Sequence, residues 1–342
     1  MLCLLFGNLW PLFNPWTGLL RVITATTGRY RPPLRHPIWL GHWPAVIMFA
    51  AFAWFELVYP APDDPPRLAA AAVCYFGANL AGLLLFGEAE WLGKAECFSV
   101  YFRIAGRLSP CQWSVFNGRL IFRLGLPGHG LLRSERVSPS ETAFVLLALA
   151  TVSFDGFSHS FFRVDLLGLN PLEFPGRSAV ELANTLGLFG MFLCLSAAFA
   201  AAVKLGSLTA QRPMVPGLVM AIAPIALAYH VAHYLPEFPI GIMRATKALS
   251  DPFGAGLNLL GTASLNPPAS LMTDHRVVTL VYRLQTAIIV IGHIMAVMVA
   301  HLLALRSTAE TRTIVVSQGP LNILMVLYTL FGLWLLSTPV IS

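Results

Sequence analysis

The sequence predicts an all-α protein, a polytopic bundle of transmembrane helices that forms a single integral membrane domain over residues 1–342. Hydrophobic residues make up 56% of the 342 positions and charged residues only 11%, and the mean hydropathy is +0.70. The apolar runs are about 20 residues long, the length that a helix needs to cross the hydrocarbon core of a bilayer. A transmembrane β-barrel is disfavoured, because its strands alternate in polarity over roughly 10 residues.

Seven apolar runs have the length of a spanning helix. Prolines punctuate the connections, as between Pro60 and Pro66 after the first run, where they end helices and stiffen turns. The predicted spans cover residues 39–59, 68–86, 142–162, 178–205, 214–235, 277–305 and 314–336.

The long segment 87–141 is predicted to lie at the membrane surface on the cytoplasmic side. Within residues 91–108, basic residues such as Lys94 and Arg103 alternate with aromatic ones such as Trp91. This alternation is typical of an interfacial amphipathic helix. Residues 1–36 are predicted to be a partial or interfacial N-terminal segment, because their apolar part is too short to span.

Basic residues set the predicted orientation. Arginines precede the first span, and Lys and Arg fill segment 87–141, which follows the second. The connections after the fourth and the sixth spans also carry basic residues. Because such residues concentrate in cytoplasmic loops, we expect an inner (plasma) membrane protein with a cytoplasmic N-terminus. The net charge of +6 is spread over loops, so the expected partner is the lipid bilayer, with a possible membrane or periplasmic partner subunit, and no nucleic acid.

Five ionisable residues lie within or beside predicted spans at a similar depth, where they cost free energy and usually have a function. Counted at about 1.5 Å per residue, all fall in the middle-to-outer half of the bilayer. Asp155 and His159 are four residues apart and His230 and His233 three apart, so each pair shares a helix face. His293 on the sixth span is the fifth member, whereas His301 lies nearer the cytoplasmic face.

This set of side chains predicts a transition-metal site. Several neutral imidazoles with one carboxylate suit copper, zinc or iron, whereas magnesium and calcium prefer clustered oxygen ligands. The predicted metal ligands are Asp155, His159, His230, His233 and His293. Asp155 or Glu181 is the predicted catalytic base of a metal-dependent hydrolase, and a redox centre fits the same ligands. Further polar residues at this level are Glu56, Glu181, Asn184, Tyr229, Tyr234 and Gln285.

Haem b is an alternative cofactor. It needs one histidine from each of two facing helices at equal depth, and room for the macrocycle. His293 facing either His230 or His233 meets the first condition. Small residues that could admit the macrocycle are Ala228, Ala232 and Gly292. The protein would then be an electron-transfer subunit.

A proton-coupled or ion-coupled transporter is the third alternative. Such proteins place broken helices near the bilayer midplane. Pro216 and Pro224 are weak indications of a broken helix. In this interpretation Asp155 carries the proton.

Several short motifs together resemble a family of bacterial multi-pass membrane proteins, some of which are described as similar to fenitrothion hydrolase. The resemblance covers most of the chain. It implies a possible phosphotriester hydrolase activity, and it assigns no catalytic residues. The motifs are Asn14-Pro-Trp16, Leu40-Gly-His-Trp-Pro44, Phe154-Asp-Gly-Phe-Ser-His159, Asn170-Pro-Leu-Glu-Phe-Pro-Gly-Arg177, Ala228-Tyr-His-Val-Ala-His-Tyr234, and Gly292-His293 with His301.

Overall fold

The computed structural model describes residues 1–27, 30–116, 119–133, 137–170, 176–210, 217–268, 273–306 and 311–338. Helices dominate it, with one small hairpin of two strands. The elements are α1 (Leu2–Phe6), α2 (Trp10–Phe13), α3 (Pro15–Thr27), α4 (Trp43–Leu57), α5 (Pro65–Phe86), α6 (Glu88–Lys94), α7 (Cys97–Leu108), β1 (Cys111–Phe116), β2 (Arg119–Leu124), α8 (Pro139–Ser158), α9 (Phe161–Leu166), α10 (Glu181–Ala210), α11 (Ala223–Tyr234), α12 (Phe238–Ser250), α13 (His275–Ala304) and α14 (Thr311–Ser337).

The prediction of a multi-pass helical membrane protein is confirmed. Six helical segments among the described residues are long and apolar enough to cross a membrane, and each overlaps a predicted span. They comprise Ile38–Leu57, Pro65–Phe86, Pro139–Ser158, Arg177–Ala210, His275–Ala304 and Arg312–Ser337.

The predicted fifth span, residues 214–235, differs from a straight helix. Leu218–Tyr234 is followed by Phe238–Ser250, and the two axes are bent by 68°. Pro236 lies in the break and Pro239 in the first turn of α12. Because proline has no N–H and restricts the residue before it, a helix does not continue smoothly through this pair. Residues 214–216 of the predicted span lie outside the described residues.

Helix α8 occupies the centre of the bundle. Ser138 caps its N-terminus, since the Ser138 hydroxyl accepts a hydrogen bond from the Glu141 N–H, as serine does at the N-cap of many helices. The helix is apolar and buried along most of its length, as expected for a helix with neighbours on every side. It packs against α4, α10 and α11, so a polar side chain on α8 lies inside the protein.

Segment 91–108 forms two helices, α6 and α7, where the sequence predicts one amphipathic helix. After α5 ends at Phe86 the chain turns back along α5. The Trp91 ring packs on Gly82, and its Nε1 donates to Asn79 Oδ1 at 2.9 Å. Glu96 then reaches the Tyr75 hydroxyl near the middle of α5, about 16 Å from the end of that helix. The turn at Glu96 therefore lies deep in the bundle.

Helix α7 descends from this turn along α4. The Phe98 ring lies 5.2 Å from the Phe52 ring, and the Tyr101 ring stacks on Phe49 at 6.0 Å between centroids. Arg103 meets the His42 ring near the start of α4. We call α6 and α7 together the re-entrant hairpin, because they enter and leave the bundle from the same end.

The N-terminal segment folds into the three helices α1 to α3. Helix α1 packs on α7 and α3 packs on α5. The Trp16 ring on α3 is buried and stacks on Phe76 at 5.8 Å. This segment is therefore part of the packed protein around the re-entrant hairpin.

The antiparallel hairpin of β1 and β2 is not among the elements that the sequence predicts. Its register pairs Cys111 with Leu124 and Phe116 with Arg119. The sequence between the strands is Asn117-Gly118, which is the strongest short signal for a two-residue hairpin turn. This dipeptide is the sequence signal from which the hairpin could have been predicted.

Candidate functional site

Asp155 is the centre of the candidate site, in the last turn of α8. Its carboxylate contacts two imidazoles, one on each oxygen. His159 Nδ1 lies 3.4 Å from Oδ1, and His233 Nε2 on α11 lies 2.5 Å from Oδ2. The Asp155 residue is only 7% exposed. Asp155, His159 and His233, three of the five predicted metal ligands, therefore lie in contact across two helices.

Residues of neighbouring helices surround this cluster. The Tyr234 hydroxyl donates to Glu56 Oε1 at 2.7 Å, and Arg177 donates to the Glu56 carbonyl at 2.8 Å. Gln285 on α13 donates to the Ala232 carbonyl at 2.8 Å. Helices α4, α8 and α11 finish at one end of the bundle. We call it the Asp155 end.

Asp155 borders two cavities. The first has a volume of about 350 Å³ and lies between α4, α7, α8 and α11. We call it the aromatic cavity; the rings that line it include Phe49, Phe52, Phe98, Tyr101 and Phe102. The second cavity, of about 450 Å³, is lined by His159, His233, Gln285 and Thr338 among others. Asp155 and Val152, one turn apart on α8, thus line both the mostly apolar cavity and the more polar one.

His230 does not join the Asp155 cluster by a direct contact. Its Nδ1 lies 2.7 Å from the Ala226 carbonyl oxygen one turn earlier in α11. Its ring stands edge-on to Tyr101 with 5.5 Å between centroids, and it lines the aromatic cavity. His230 and His233 therefore serve different cavities, although they share one face of α11.

His293 lies apart from Asp155, between two tyrosines. Its ring is 6.0 Å from Tyr229 and 6.3 Å from Tyr328, and its Nδ1 lies 2.8 Å from the Ile289 carbonyl oxygen. Its Nε2 is buried and has no hydrogen-bond partner among the residues that the structure describes. The neighbouring small residue Gly292 has no spare room, because a Cβ there would overlap the Ala228 Cβ. The small residues thus allow close packing of α11 on α13, which leaves no gap for a macrocycle at this point.

Glu181, the other predicted base, opens α10 and lines neither of the two cavities that Asp155 borders. Asn184, one turn later, accepts a hydrogen bond from Arg163 at 3.1 Å. Asn184 is thus committed to Arg163, and Glu181 is the first residue of α10. The geometry thus favours Asp155, rather than Glu181, as the ionisable group of the site.

The donor atoms do not converge as a five-ligand metal centre would require. Among the described residues, no group of three or more His, Cys, Asp or Glu side chains is arranged to hold a metal ion. Two atoms bound to one zinc ion at about 2.0–2.2 Å lie about 3 Å or more apart, whereas Asp155 Oδ2 and His233 Nε2 are 2.5 Å apart. The carboxylate stands between the two imidazoles: it contacts His233 Nε2 directly, and it lies 3.4 Å from His159 Nδ1, which is 3.0 Å from the Asp155 carbonyl oxygen.

Sequence reasoning misses the contribution of the re-entrant hairpin to the site. Phe98, Tyr101 and Phe102 on α7 form one wall of the aromatic cavity, whereas an interfacial helix over segment 91–108 would turn its aromatic residues to lipid. Comparison of the chain with protein-family models, with curated proteins and with solved structures gave no match.

Proposed function

We propose that the protein is a proton-coupled membrane transporter in which Asp155 binds and releases the proton. The observation that carries this proposal is the position of Asp155: a buried carboxylate of a spanning helix, in contact with two imidazoles and bordering two cavities. Imidazoles change charge near neutral pH, so a carboxylate and histidine cluster can exchange protons under physiological conditions. Ionisable groups of this kind mark proton paths in membrane proteins.

Discontinuous helices next to the cluster support transport. The re-entrant hairpin forms a wall of the aromatic cavity, and the chain bends by 68° soon after His233. Secondary transporters bind their substrates at such interruptions, where helix ends can move without breaking a continuous helix. A change at Asp155 can therefore be passed to α11, which carries both His230 and His233.

Infrared difference spectroscopy on the purified protein in lipid tests the proton site. A pH step is expected to produce coupled carboxyl and imidazole bands, because a proton taken up at Asp155 alters both of its histidine contacts. Asp155→Asn removes the titrating carboxyl while it keeps the side-chain shape, so both bands should disappear. Asp165→Asn is the matched control, since Asp165 is an exposed aspartate on α9. Identical spectra for wild type and Asp155→Asn would exclude Asp155 as the proton carrier.

Hydrolysis of a lipophilic phosphotriester is the second candidate function. The contact that favours it is the one between Asp155 and His233, because a carboxylate that bonds one ring nitrogen orients an imidazole as a general base for water. Asp155, His159 and His233 would also be the ligands of a transition metal ion, if one binds after the direct Asp155–His233 contact opens. The apolar cavity beside the cluster suits the body of such a substrate.

Two measurements on one preparation test this candidate. It predicts stoichiometric zinc, copper or iron by elemental analysis and release of nitrophenol from a p-nitrophenyl phosphotriester. His233→Ala should lose both signals. His301→Ala should keep them, because His301 is exposed near the opposite end of α13. If the wild-type protein contains no metal and releases no nitrophenol, metal-dependent hydrolysis is ruled out. The transporter is then the function that stands.

A further inference from the structure

The aromatic cavity is mostly apolar and is bordered by two carboxylates; Met1 and Tyr101 are also among its lining residues. Its polar lining residues include Asp155, Glu56 and His230. A carbonyl oxygen only accepts, so the contact of His230 Nδ1 with the Ala226 carbonyl places the ring hydrogen on Nδ1. In the neutral ring, Nε2 is then an acceptor. The two carboxylates accept as well.

Two of the three hydroxyl groups at the cavity use their hydrogens elsewhere, whereas the third, on Tyr101, can donate to a ligand. Tyr234 donates to Glu56 at 2.7 Å, and Thr151 donates to the Ala148 carbonyl at 3.0 Å. Among the described residues that line the cavity, none is Lys or Arg. A ligand here therefore meets two carboxylates, of which Asp155 is also contacted by the His159 and His233 imidazoles and Glu56 by the Tyr234 hydroxyl.

The remaining wall selects the size and surface of the ligand. Rings of α4 and α7 face the cavity, led by Phe49, Phe52, Phe98 and Tyr101. Aromatic faces attract cations whose charge is weakly hydrated. Small inorganic cations instead require several oxygen ligands to replace their water, and the described residues of this wall offer one, the Tyr101 hydroxyl. The combination selects a cation with an apolar body.

We propose that the aromatic cavity binds a lipophilic organic cation, with its charge near Asp155 and Glu56 and its apolar groups against the rings of α4 and α7. This inference rests on the proposed proton-coupled function and names its substrate class. The cation and the proton compete for Asp155, because a carboxylate that pairs with a positively charged ligand binds a proton less tightly. Binding of one then releases the other, which is the coupling step of an exchanger.

Radiolabelled tetraphenylphosphonium is the probe, used with the purified full chain in detergent. We expect saturable binding that strengthens as the pH is raised. Asp155→Asn and Glu56→Gln should each weaken the affinity at least about tenfold, because each removes a charge from a site of low dielectric constant. Asp165→Asn should bind as wild type does. Tetraphenylborate, which has the same shape and the opposite charge, is measured in a separate sample because it pairs with the phosphonium, and it should not bind.

Asp155→Asn and Glu56→Gln are each checked for a monodisperse profile by size-exclusion chromatography. One folded variant of the two is enough for the comparison. Unchanged affinity in the folded variant, or equal binding of the borate and the phosphonium, would overturn the cation site. A pH dye in weak buffer then separates this inference from the function on which it rests. Binding with proton release supports both. Binding without release keeps the cation site and contradicts proton coupling, whereas infrared evidence for the proton with no phosphonium binding contradicts the cation site alone.

Discussion

Replacing Glu96 with alanine is expected to destabilise the re-entrant hairpin by about 2–4 kcal/mol, the combined effect of a lost helix cap and of donors left without their acceptor. Glu96 is fully buried at the turn between α6 and α7. Its carboxylate accepts hydrogen bonds from the backbone N–H groups of Phe98 and Ser99 at 2.9 and 2.6 Å. The Tyr75 hydroxyl and Trp10 Nε1 also donate to it. One side chain therefore joins α2, α5 and α7.

Thermal unfolding in detergent measures this effect. Glu90→Ala is the matched control, because Glu90 lies on α6 and forms an exposed ion pair with Lys94 at 2.7 Å. Exposed pairs of this spacing contribute only about 0.3–0.5 kcal/mol. Glu96→Gln keeps an acceptor in place and should fall between the two. Equal unfolding temperatures for Glu96→Ala and Glu90→Ala would mean that the turn at Glu96 is not held as described.

The re-entrant hairpin also shows where sequence reasoning reaches its limit. The alternation of basic and aromatic residues over 91–108 correctly predicts helix with two faces, because that pattern is local. It does not say which surface the apolar face covers. A free bilayer interface and the side of α4 are both apolar, and only the contacts of Trp91 with α5 and of Tyr101 with Phe49 distinguish them.

The site is predictable to the extent that helix geometry determines it. Asp155 and His159 lie four residues apart on one helix, so their contact follows from the helical repeat. Depth along the helices places His233 near Asp155. The rotation of each helix about its axis does not follow from depth. An angle of about 60° between residues three apart is enough to direct His230 into the other cavity.

Residues that the sequence leaves free for a ligand can be committed to packing. In the sequence, the small residue Gly292 beside His293 suggests room for a haem. The structure instead places this glycine against Ala228 and the Pro224 carbonyl. An ideal Cβ at Gly292 would lie 3.1 Å from that carbonyl oxygen. Because backbone atoms cannot move aside as flexible side chains do, added volume here must separate α11 from α13.

Gly292→Leu is therefore expected to destabilise the protein by about 3 kcal/mol, at the upper end of the cost of overpacking a close helix contact. Unfolding in detergent gives the size of the effect, and Gly292→Ala should cost less. Gly190→Leu is the control, since Gly190 is an exposed helical glycine of α10, and a Cβ added there would meet no atom within 4 Å. That variant should unfold as wild type does or slightly later, because leucine favours helix over glycine by about 0.8 kcal/mol.

The same variant also reports on the site. Helix α11 carries His233, so moving it away from α13 alters the contact of His233 with Asp155 and should weaken the carboxyl and imidazole bands that follow a pH step. Gly190→Leu should leave these bands unchanged. If Gly292→Leu unfolds as wild type does and keeps the bands, the space beside Gly292 is open, and a bulky cofactor between α11 and α13 becomes the better interpretation. A loss of stability together with the bands instead ties the proton site to the close packing of these two helices.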